Sequence, residues 1–315
     1  MEVFRDIKDF RRPESKTIVT MGNFDGIHLG HQALVGNTVA EARECGAKSL
    51  VFTFDPHPLK LLAPERAPKM ILNHQDKMDM LRALGVDTVI VQNFDREFAN
   101  IQAEDFVRRY FIERLNLLKI WLGRDLRFGR GREGGVEDLI RWGGEQGFDV
   151  GIVEPILVEG TRISSSRIRQ LIGEGRVNEV EPMLGRYHFI SGNVVNGHRR
   201  GRELGFPTAN LATTTEVVPG DGIYATLMEL KNRRWLSVSS VGRNPTFGEG
   251  ARTIETFILD FAQDIYGESV ALSFVQRIRE ERKFYEIENL VSQMHQDVKA
   301  AYAIFDTLKL HCTNS

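Results

Sequence analysis

The alternation of strand and helix patterns in the first half constrains the fold more than any other feature of the sequence. Short β-rich apolar runs alternate with segments whose apolar residues recur at helical spacing. Parallel strands need long crossovers, usually helices, so this alternation predicts a parallel sheet covered by helices on both faces. Ligands of such sheets bind beyond the carboxyl ends of the strands. The five predicted strands are KTIVTMGNF, SLVFTFDP, VDTVIVQNF, LLKIWLGRD and FDVGIVEPI.

The pattern changes near Arg186. Short strand-like runs then follow one another closely, separated by Gly, Pro and Asn, which is typical of an antiparallel barrel or sandwich. The KNRR segment predicts a hairpin turn, and an amphipathic helix closes the chain. We therefore predict two domains, residues 1–183 with an α/β fold and residues 184–315 with an antiparallel β fold. A helix over residues 164–185 is expected to bridge them.

The composition restricts the partners. Hydrophobic residues make up 42% and charged residues 27% of the 315 residues, with a formal net charge of -2, as in a soluble globular protein. Residues 184–315 carry equal numbers of basic and acidic side chains and residues 1–183 carry no basic excess, so a nucleic acid is not an expected partner. No apolar run approaches the length needed to span a bilayer, so a membrane is not an expected partner either. With no signal-peptide pattern and only two cysteines, Cys45 and Cys312, we expect reduced thiols and a cytoplasmic location.

The segment GNFDGIHLGH follows the first predicted strand and opens the first helix. Glycines permit close backbone approach, and a helix N-terminus attracts anions. Two histidines three residues apart share one helix face and can donate to charge that develops on phosphates. The alternative is an ordinary turn with surface histidines. A motif of ten consecutive residues rarely occurs by accident, which disfavours that alternative. The candidate nucleotide-binding residues are Gly22, Asn23, Phe24, Asp25, His28, Gly30 and His31.

A second phosphate motif, ISSSRIR, lies at residues 163–169. Its serines can cap a helix and offer hydroxyl and N–H groups to phosphate, and an arginine can hold the same phosphate through two bonds. The alternative is a plain helix cap with solvated arginines. It is disfavoured because the segment lies at the expected distance from the first motif. The candidate residues are Ser164, Ser165, Ser166 and Arg167.

The second half carries a different set of phosphate-handling residues. The hard oxygens of Thr208 and Asn210 lie two residues apart on one side of an extended segment and suit Mg²⁺. Upstream glycines, among them Gly201 and Gly205, supply flexible backbone for a phosphate cradle. Glu255, in an alternating strand pattern, is a candidate general base; an ordinary strand carboxylate is the alternative.

These motifs resemble those of a known family. GNFDGIHLGH, FDPHP, LGRDLRFG and ISSSRIR together resemble the adenylyltransferase module of prokaryotic bifunctional riboflavin kinase/FMN adenylyltransferases, in which the first and last of these motifs bind ATP. By that resemblance Asp125 lies near the nucleotide. GRELGFPTANL, IETFILDF and IREERKF resemble the riboflavin kinase module. By that resemblance Thr208 and Asn210 of this chain would bind Mg-ATP, Glu255 would be catalytic and Arg279 would contact the flavin.

The resemblance implies a Rossmann-like nucleotidyltransferase domain followed by a riboflavin kinase β-barrel with a C-terminal helix. It further implies riboflavin, FMN and ATP as substrates and Mg²⁺ as cofactor, and it does not specify an oligomeric state. Arg124 and Leu126 depart from the family's usual loop sequence. That departure leaves one rival open, a kinase whose adenylyltransferase half is inactive. A separate rival is a nucleotide- or flavin-binding regulator that performs no chemistry.

Overall fold

The computed structural model describes residues 1–197, 204–243 and 252–314. Its contacts divide the chain into two compact units. Unit 1 contains Met1–Lys69 and His74–Ile163, and unit 2 contains Met70–Asn73 and Ser164–Ser315. The segment 164–183 thus groups by contacts with unit 2, whereas the sequence interpretation assigned it to the first domain. The boundary at residues 183/184 stays a prediction.

Unit 1 is built on a six-stranded parallel sheet in the order β1-β4-β3-β2-β5-β8. The predicted parallel sheet is confirmed. One strand, β1, escaped prediction, because three residues paired at the sheet edge give no readable period. The strands are β1 Glu2–Phe4, β2 Thr17–Met21, β3 Lys48–Asp55, β4 Thr88–Asn93, β5 Leu117–Gly123 and β8 Asp149–Val153. Two short hairpins pair β6 Arg127–Phe128 with β7 Gly134–Gly135, and β9 Leu157–Val158 with β10 Thr161–Arg162.

Helices connect the strands of unit 1. The first, α1, buries Leu34, Val35, Val39 and Ala42, which recur along one face and cover the sheet. Helix α5 continues directly into a π-helical turn, Val107–Arg114. The α-helices are α1 Leu29–Glu44, α2 Pro58–Leu62, α3 His74–Ala83, α4 Arg96–Ala99, α5 Ala103–Phe106 and α6 Val136–Gln146. Short 3₁₀ turns occupy Ile7–Asp9, Pro64–Arg66 and Arg130–Arg132.

Unit 2 is a closed antiparallel barrel of six strands. Its order is β13-β16-β11-β12-β15-β14, and pairing of β13 with β14 closes the barrel. The predicted hairpin turn is Lys231–Asn232, with φ of +49° and +61°, as a two-residue type I′ turn requires. The strands are β11 His188–Val195, β12 Thr208–Ala212, β13 Gly222–Leu230, β14 Arg233–Arg243, β15 Arg252–Ile258 and β16 Ser269–Arg279, with β17 Thr313–Asn314 added to β14.

The barrel strands have two buried faces. One set of alternate residues, including Tyr224, Met228 and Phe274, fills the interior. Residues of the opposite set pack with the C-terminal helix α9, Ile287–Thr307, in a cluster that includes Ala225 and Phe305. The predicted barrel and closing helix are confirmed.

The single helix expected over residues 164–185 is wrong. The segment forms α7 Ser165–Gly173, a 3₁₀ turn Val177–Glu179 and α8 Glu181–Leu184. Gly175 has φ of +77°, and the N–H of Arg176 bonds back to the carbonyl of Leu171, so α7 ends in a Schellman motif. No helix within residues 1–197, 204–243 and 252–314 is long and apolar enough to cross a membrane.

A neutral histidine is buried in the barrel. His188 is 1% exposed, and its Nε2–H donates to the carbonyl of Val217 at 3.2 Å. Burial, with a smaller effect of Arg186, lowers the pKa of His188 to about 3. The unfolded chain binds a proton near pH 6.5 and the folded barrel does not, so folding stability is lost as pH falls from about 6.5 toward 3.

We expect His188→Leu to reduce this acid sensitivity. Between pH 7 and pH 5, protonation of His188 in the unfolded chain lowers the free energy of unfolding by about 2 kcal/mol. The variant loses some stability at pH 7, because the carbonyl of Val217 loses its donor, but less than wild type on acidification. Urea unfolding at both pH values measures the difference. His311→Leu, at an exposed histidine, is the matched control and should behave as wild type. Equal acid sensitivity of His188→Leu and wild type would contradict the assignment.

Candidate active sites

The turn from β2 into α1 holds the first predicted motif. Two non-glycine residues, Phe24 and Ile27, have left-handed φ of +49° and +38°, and both side chains are buried. Such conformations cost roughly 1–2 kcal/mol per residue, so packing maintains this backbone. Gly26, at φ of +82°, adopts the same region without strain. The turn is therefore a rigid element rather than a passive connection.

The two histidines of the motif lie face to face at the start of α1. Their ring centroids are 3.7 Å apart with an interplanar angle of 16°. His28 is the N-cap, and its Nδ1 accepts the main-chain N–H of His31 at 3.3 Å. The proton of a neutral His28 ring is therefore on Nε2. A Cβ at Gly30 would lie 3.1 Å from the His28 ring, a tight contact that glycine avoids.

His31 is neutral at physiological pH. Burial lowers the pKa of His31 well below its ordinary value, and the nearby His28 and Lys77 lower it further. The Phe24 ring packs against the His31 ring in a T-shaped contact, with centroids 5.3 Å apart. Nδ1 of His31 is buried and has no hydrogen-bond partner within the described part of the chain. This atom suits a hydrogen bond to a ligand.

A buried lysine supports the same turn, and the sequence reasoning missed it. Lys77, on α3, is 6% exposed, and its Nζ lies 3.3 Å from both the carbonyl of Asn23 and Oγ1 of Thr53. Burial lowers the pKa of Lys77, while Asp25 and Asp55 act in the opposite direction. No clear sequence signal marks it, because Lys77 stands between Asp76 and Met78 in a helix pattern, where a lysine is usually solvated.

The loop after β5 contains Asp125, which pairs with Arg162 at the surface of unit 1. The two departures from the family pattern have ordinary structural roles. Arg124 pairs with the exposed Glu154, with Nε 2.9 Å from the carboxylate oxygens. Leu126 packs against the hydrophobic core. Neither residue introduces a buried charge into unit 1.

The second phosphate motif begins α7, which belongs to unit 2. Ser164 is the N-cap, and its Oγ accepts the N–H of Arg167 at 3.2 Å. Ser165 and Ser166 occupy the first helical turn. The Arg167 side chain donates to Gln170 at 3.1 Å. The predicted serine cap is thus present. The two nucleotide motifs fall in different units.

The barrel brings together the three residues predicted for phosphoryl transfer. Strands β12 and β15 pair so that Asn210 lies opposite Glu255. Thr208, two residues before Asn210, shares its face, and Oγ1 of Thr208 lies 3.5 Å from a carboxylate oxygen of Glu255. A hydroxyl, an amide and a carboxylate thus meet on adjacent strands, although 45 residues separate Asn210 from Glu255 in sequence.

Glycines allow the chain to approach this cluster. A Cβ at Gly197 would lie 2.0 Å from Nδ2 of Asn210, so only glycine permits the backbone there. Gly205 has φ of +84° and precedes Phe206, whose ring packs against Phe257. The predicted Gly201 lies outside the described residues. Gly197 is one of the upstream glycines of the motif, and the structure shows that the absence of a side chain there leaves room for the Asn210 amide.

Arg279, the predicted flavin contact, forms a buried ion pair. Its Nε and Nη2 each donate to one carboxylate oxygen of Asp297 on α9, both at 2.8 Å. A second carboxylate, Glu281, lies nearby. Burial, together with Asp221 and Glu255, raises the pKa of Glu281. Arg279 therefore ties β16 to α9, and its contact with flavin stays a prediction.

Two family models match the chain, one in each half. A family model for FAD synthetase matches residues 11–167, and one for riboflavin kinase matches residues 184–305. The bifunctional riboflavin kinase/FMN adenylyltransferase of Escherichia coli strain K12 is 34% identical over 311 residues, covering 98% of this chain and 99% of that protein. That of Listeria monocytogenes is 35% identical and covers 93% of each chain.

The chain belongs to the bifunctional riboflavin kinase/FMN adenylyltransferase family. A crystal structure described as a macrolide-efflux protein from Streptococcus pneumoniae is also similar, at 34% identity and a TM-score of 0.86, and covers 95% of this chain and 98% of that one. That description concerns the Streptococcus pneumoniae protein alone, and the likeness here is one of fold.

We expect Lys77→Met to raise the pKa of His31. Removing a nearby cation favours the protonated imidazole, whereas the methionine preserves the burial that is the main cause of the shift. The pKa should therefore rise but stay below 6.5. NMR titration of the His31 ring measures it, with Lys60→Met, an exposed lysine on α2, as control. An unchanged His31 titration in Lys77→Met would rule out this coupling.

Proposed function

We propose that unit 2 phosphorylates riboflavin to FMN with ATP, and that the nucleotide motifs of the chain then adenylylate FMN to FAD with release of pyrophosphate. One observation carries the proposal: this chain, a member of the family, contains both clusters of functional groups. His28 and His31 stack on each other, and Thr208 lies beside Glu255. The chain is therefore an enzyme of flavin cofactor synthesis with two transferase activities.

In the first reaction Glu255 orients the ribityl 5′-hydroxyl and accepts its proton as the oxygen attacks the γ-phosphorus of ATP and ADP leaves. The hard oxygens of Thr208 and Asn210 fit Mg²⁺, which binds through few protein ligands together with phosphates and water. When bound, Mg²⁺ neutralises charge on the phosphate oxygens. We assign the backbone at Gly201 and Gly205 to binding the ATP phosphates, and Arg279 to contacting the flavin.

In the second reaction an FMN phosphate oxygen attacks the α-phosphorus of ATP. This nucleophile is already anionic, so the step needs no protein base. We assign His28 Nε2–H and the imidazole of His31 to stabilising the charge that develops as pyrophosphate leaves. The other groups assigned to ATP are those of the two motifs and their adjoining loop: Gly22, Asn23, Phe24, Asp25, Gly30, Asp125, Ser164, Ser165, Ser166 and Arg167.

The same proposal places the protein in the cytoplasm, with riboflavin, FMN and ATP as its small-molecule partners. Both cysteines, Cys45 and Cys312, are free and exposed, and a reducing compartment suits exposed thiols. A cytoplasmic enzyme also has direct access to ATP.

Substitution should separate the two activities. We expect His31→Ala to lower the rate of FAD formation from FMN and ATP by about 10²–10³-fold while FMN formation persists. Glu255→Gln should lower FMN formation by about 10²–10⁴-fold and leave FAD formation from supplied FMN intact. Chromatographic separation of FMN and FAD measures both. Glu229→Gln, an exposed carboxylate on β13, is the control for Glu255.

If either variant lost both activities equally while remaining folded, the assignment of separate sites would be wrong. A wild-type protein that converts riboflavin to FMN but forms no FAD from supplied FMN would instead identify the kinase-only alternative. Binding of flavin and ATP without any turnover would identify the regulatory alternative.

A further inference from the structure

The main chain of Asn23 is fixed on two sides. Its carbonyl oxygen accepts from Oγ1 of Thr53 at 3.3 Å and from Nζ of Lys77 at 3.3 Å. Thr53 lies on β3, in the middle of the sheet, and Lys77 lies on α3. With the backbone held, the remaining freedom of Asn23 is rotation of its side-chain amide, which decides whether oxygen or N–H₂ faces His57.

His57 contacts that amide and has a defined tautomer. It is the N-cap of α2, and its Nδ1 accepts the main-chain N–H of Leu59 at 3.2 Å. A ring nitrogen that accepts a hydrogen bond carries no proton, so the neutral imidazole is protonated at Nε2. Nε2 of His57 is thus a donor.

The atom that faces this donor has to be an acceptor. Nε2 of His57 lies 3.1 Å from Nδ2 of Asn23, which places two N–H groups against each other. Oδ1 of Asn23 is buried and lacks a hydrogen-bond partner within the described residues. A half turn of the amide, whose two ends have the same shape, removes both conflicts at once. Oδ1 then accepts from His57, and N–H₂ occupies the position without a protein partner.

We propose that His57 is a positioning residue for adenylyl transfer, which holds Oδ1 of Asn23 so that the amide N–H₂ is presented to the triphosphate of ATP. The inference rests on the proposed function of the first nucleotide motif. An amide oxygen at that position repels phosphate, whereas N–H₂ forms charge-assisted hydrogen bonds with it. His57 acts through Asn23, and no contact between His57 and ATP is required.

Two substitutions separate this role from capping of α2. His57→Asn places a side-chain oxygen near the position of Nδ1, so it retains the cap but does not reach Asn23. His57→Gln places an amide nitrogen near the position of Nε2, so it retains the donor to Asn23 at the expense of the cap. Steady-state KM for ATP and kcat in FAD formation from FMN are measured for both variants and for wild type.

We expect His57→Asn to raise KM for ATP roughly 10- to 100-fold with little change in kcat, because the lost hydrogen bond to a charged group contributes to binding. His57→Gln should stay within a few-fold of wild type. Asn23→Asp, which accepts from His57 but offers no N–H₂, should reproduce the rise in KM. FMN formation from riboflavin, which is assigned to unit 2, should be unchanged in each variant, and circular dichroism reports on the folding of the substituted chain.

The opposite ranking, with His57→Gln impaired and His57→Asn normal, would overturn the inference in favour of a purely structural cap. Equal losses in the two variants, or no loss in either, would overturn it as well. In each of these cases wild type still forms FAD. A wild type that forms no FAD overturns the proposed function of the motif, and the inference with it.

Discussion

The buried ammonium group of Lys77 fixes the main chain of the first nucleotide motif at Asn23. Lys77 is enclosed beside the carbonyl of Asn23 and Oγ1 of Thr53, with the charges of Asp25 and Asp55 nearby. A buried charge is tolerated only when oxygens and opposite charges replace its water. This requirement fixes the main chain where β2 gives way to α1. The left-handed backbone of Phe24 and Ile27 lies in the turn that follows Asn23.

The stacked histidines follow from that fixed turn. Because their rings lie 3.7 Å apart, the two imidazoles cannot both be protonated at low cost, and burial keeps His31 neutral. A neutral His31 adds no further cation beside Lys77.

The barrel site depends on strand register instead of a buried charge. Antiparallel pairing sets Asn210 opposite Glu255, and alternation along β12 places Thr208 on the same face. A shift of one residue in either strand would turn these side chains to the other face of the barrel. The ion pair of Arg279 with Asp297 attaches α9 to β16 by two charge-assisted hydrogen bonds.

The sequence by itself determined the parallel sheet, the antiparallel barrel, the closing helix and both motifs, because apolar periodicity and turn residues are local properties. It failed for β1, which is three residues long, and for residues 164–185, where Gly175 ends a helix that the pattern continues. Only the tertiary structure decided that Lys77 is buried, that His57 reaches Asn23 and that Asp297 pairs with Arg279. Their partners lie 54, 34 and 18 residues away, and which distant residues meet is set by packing, not by local sequence.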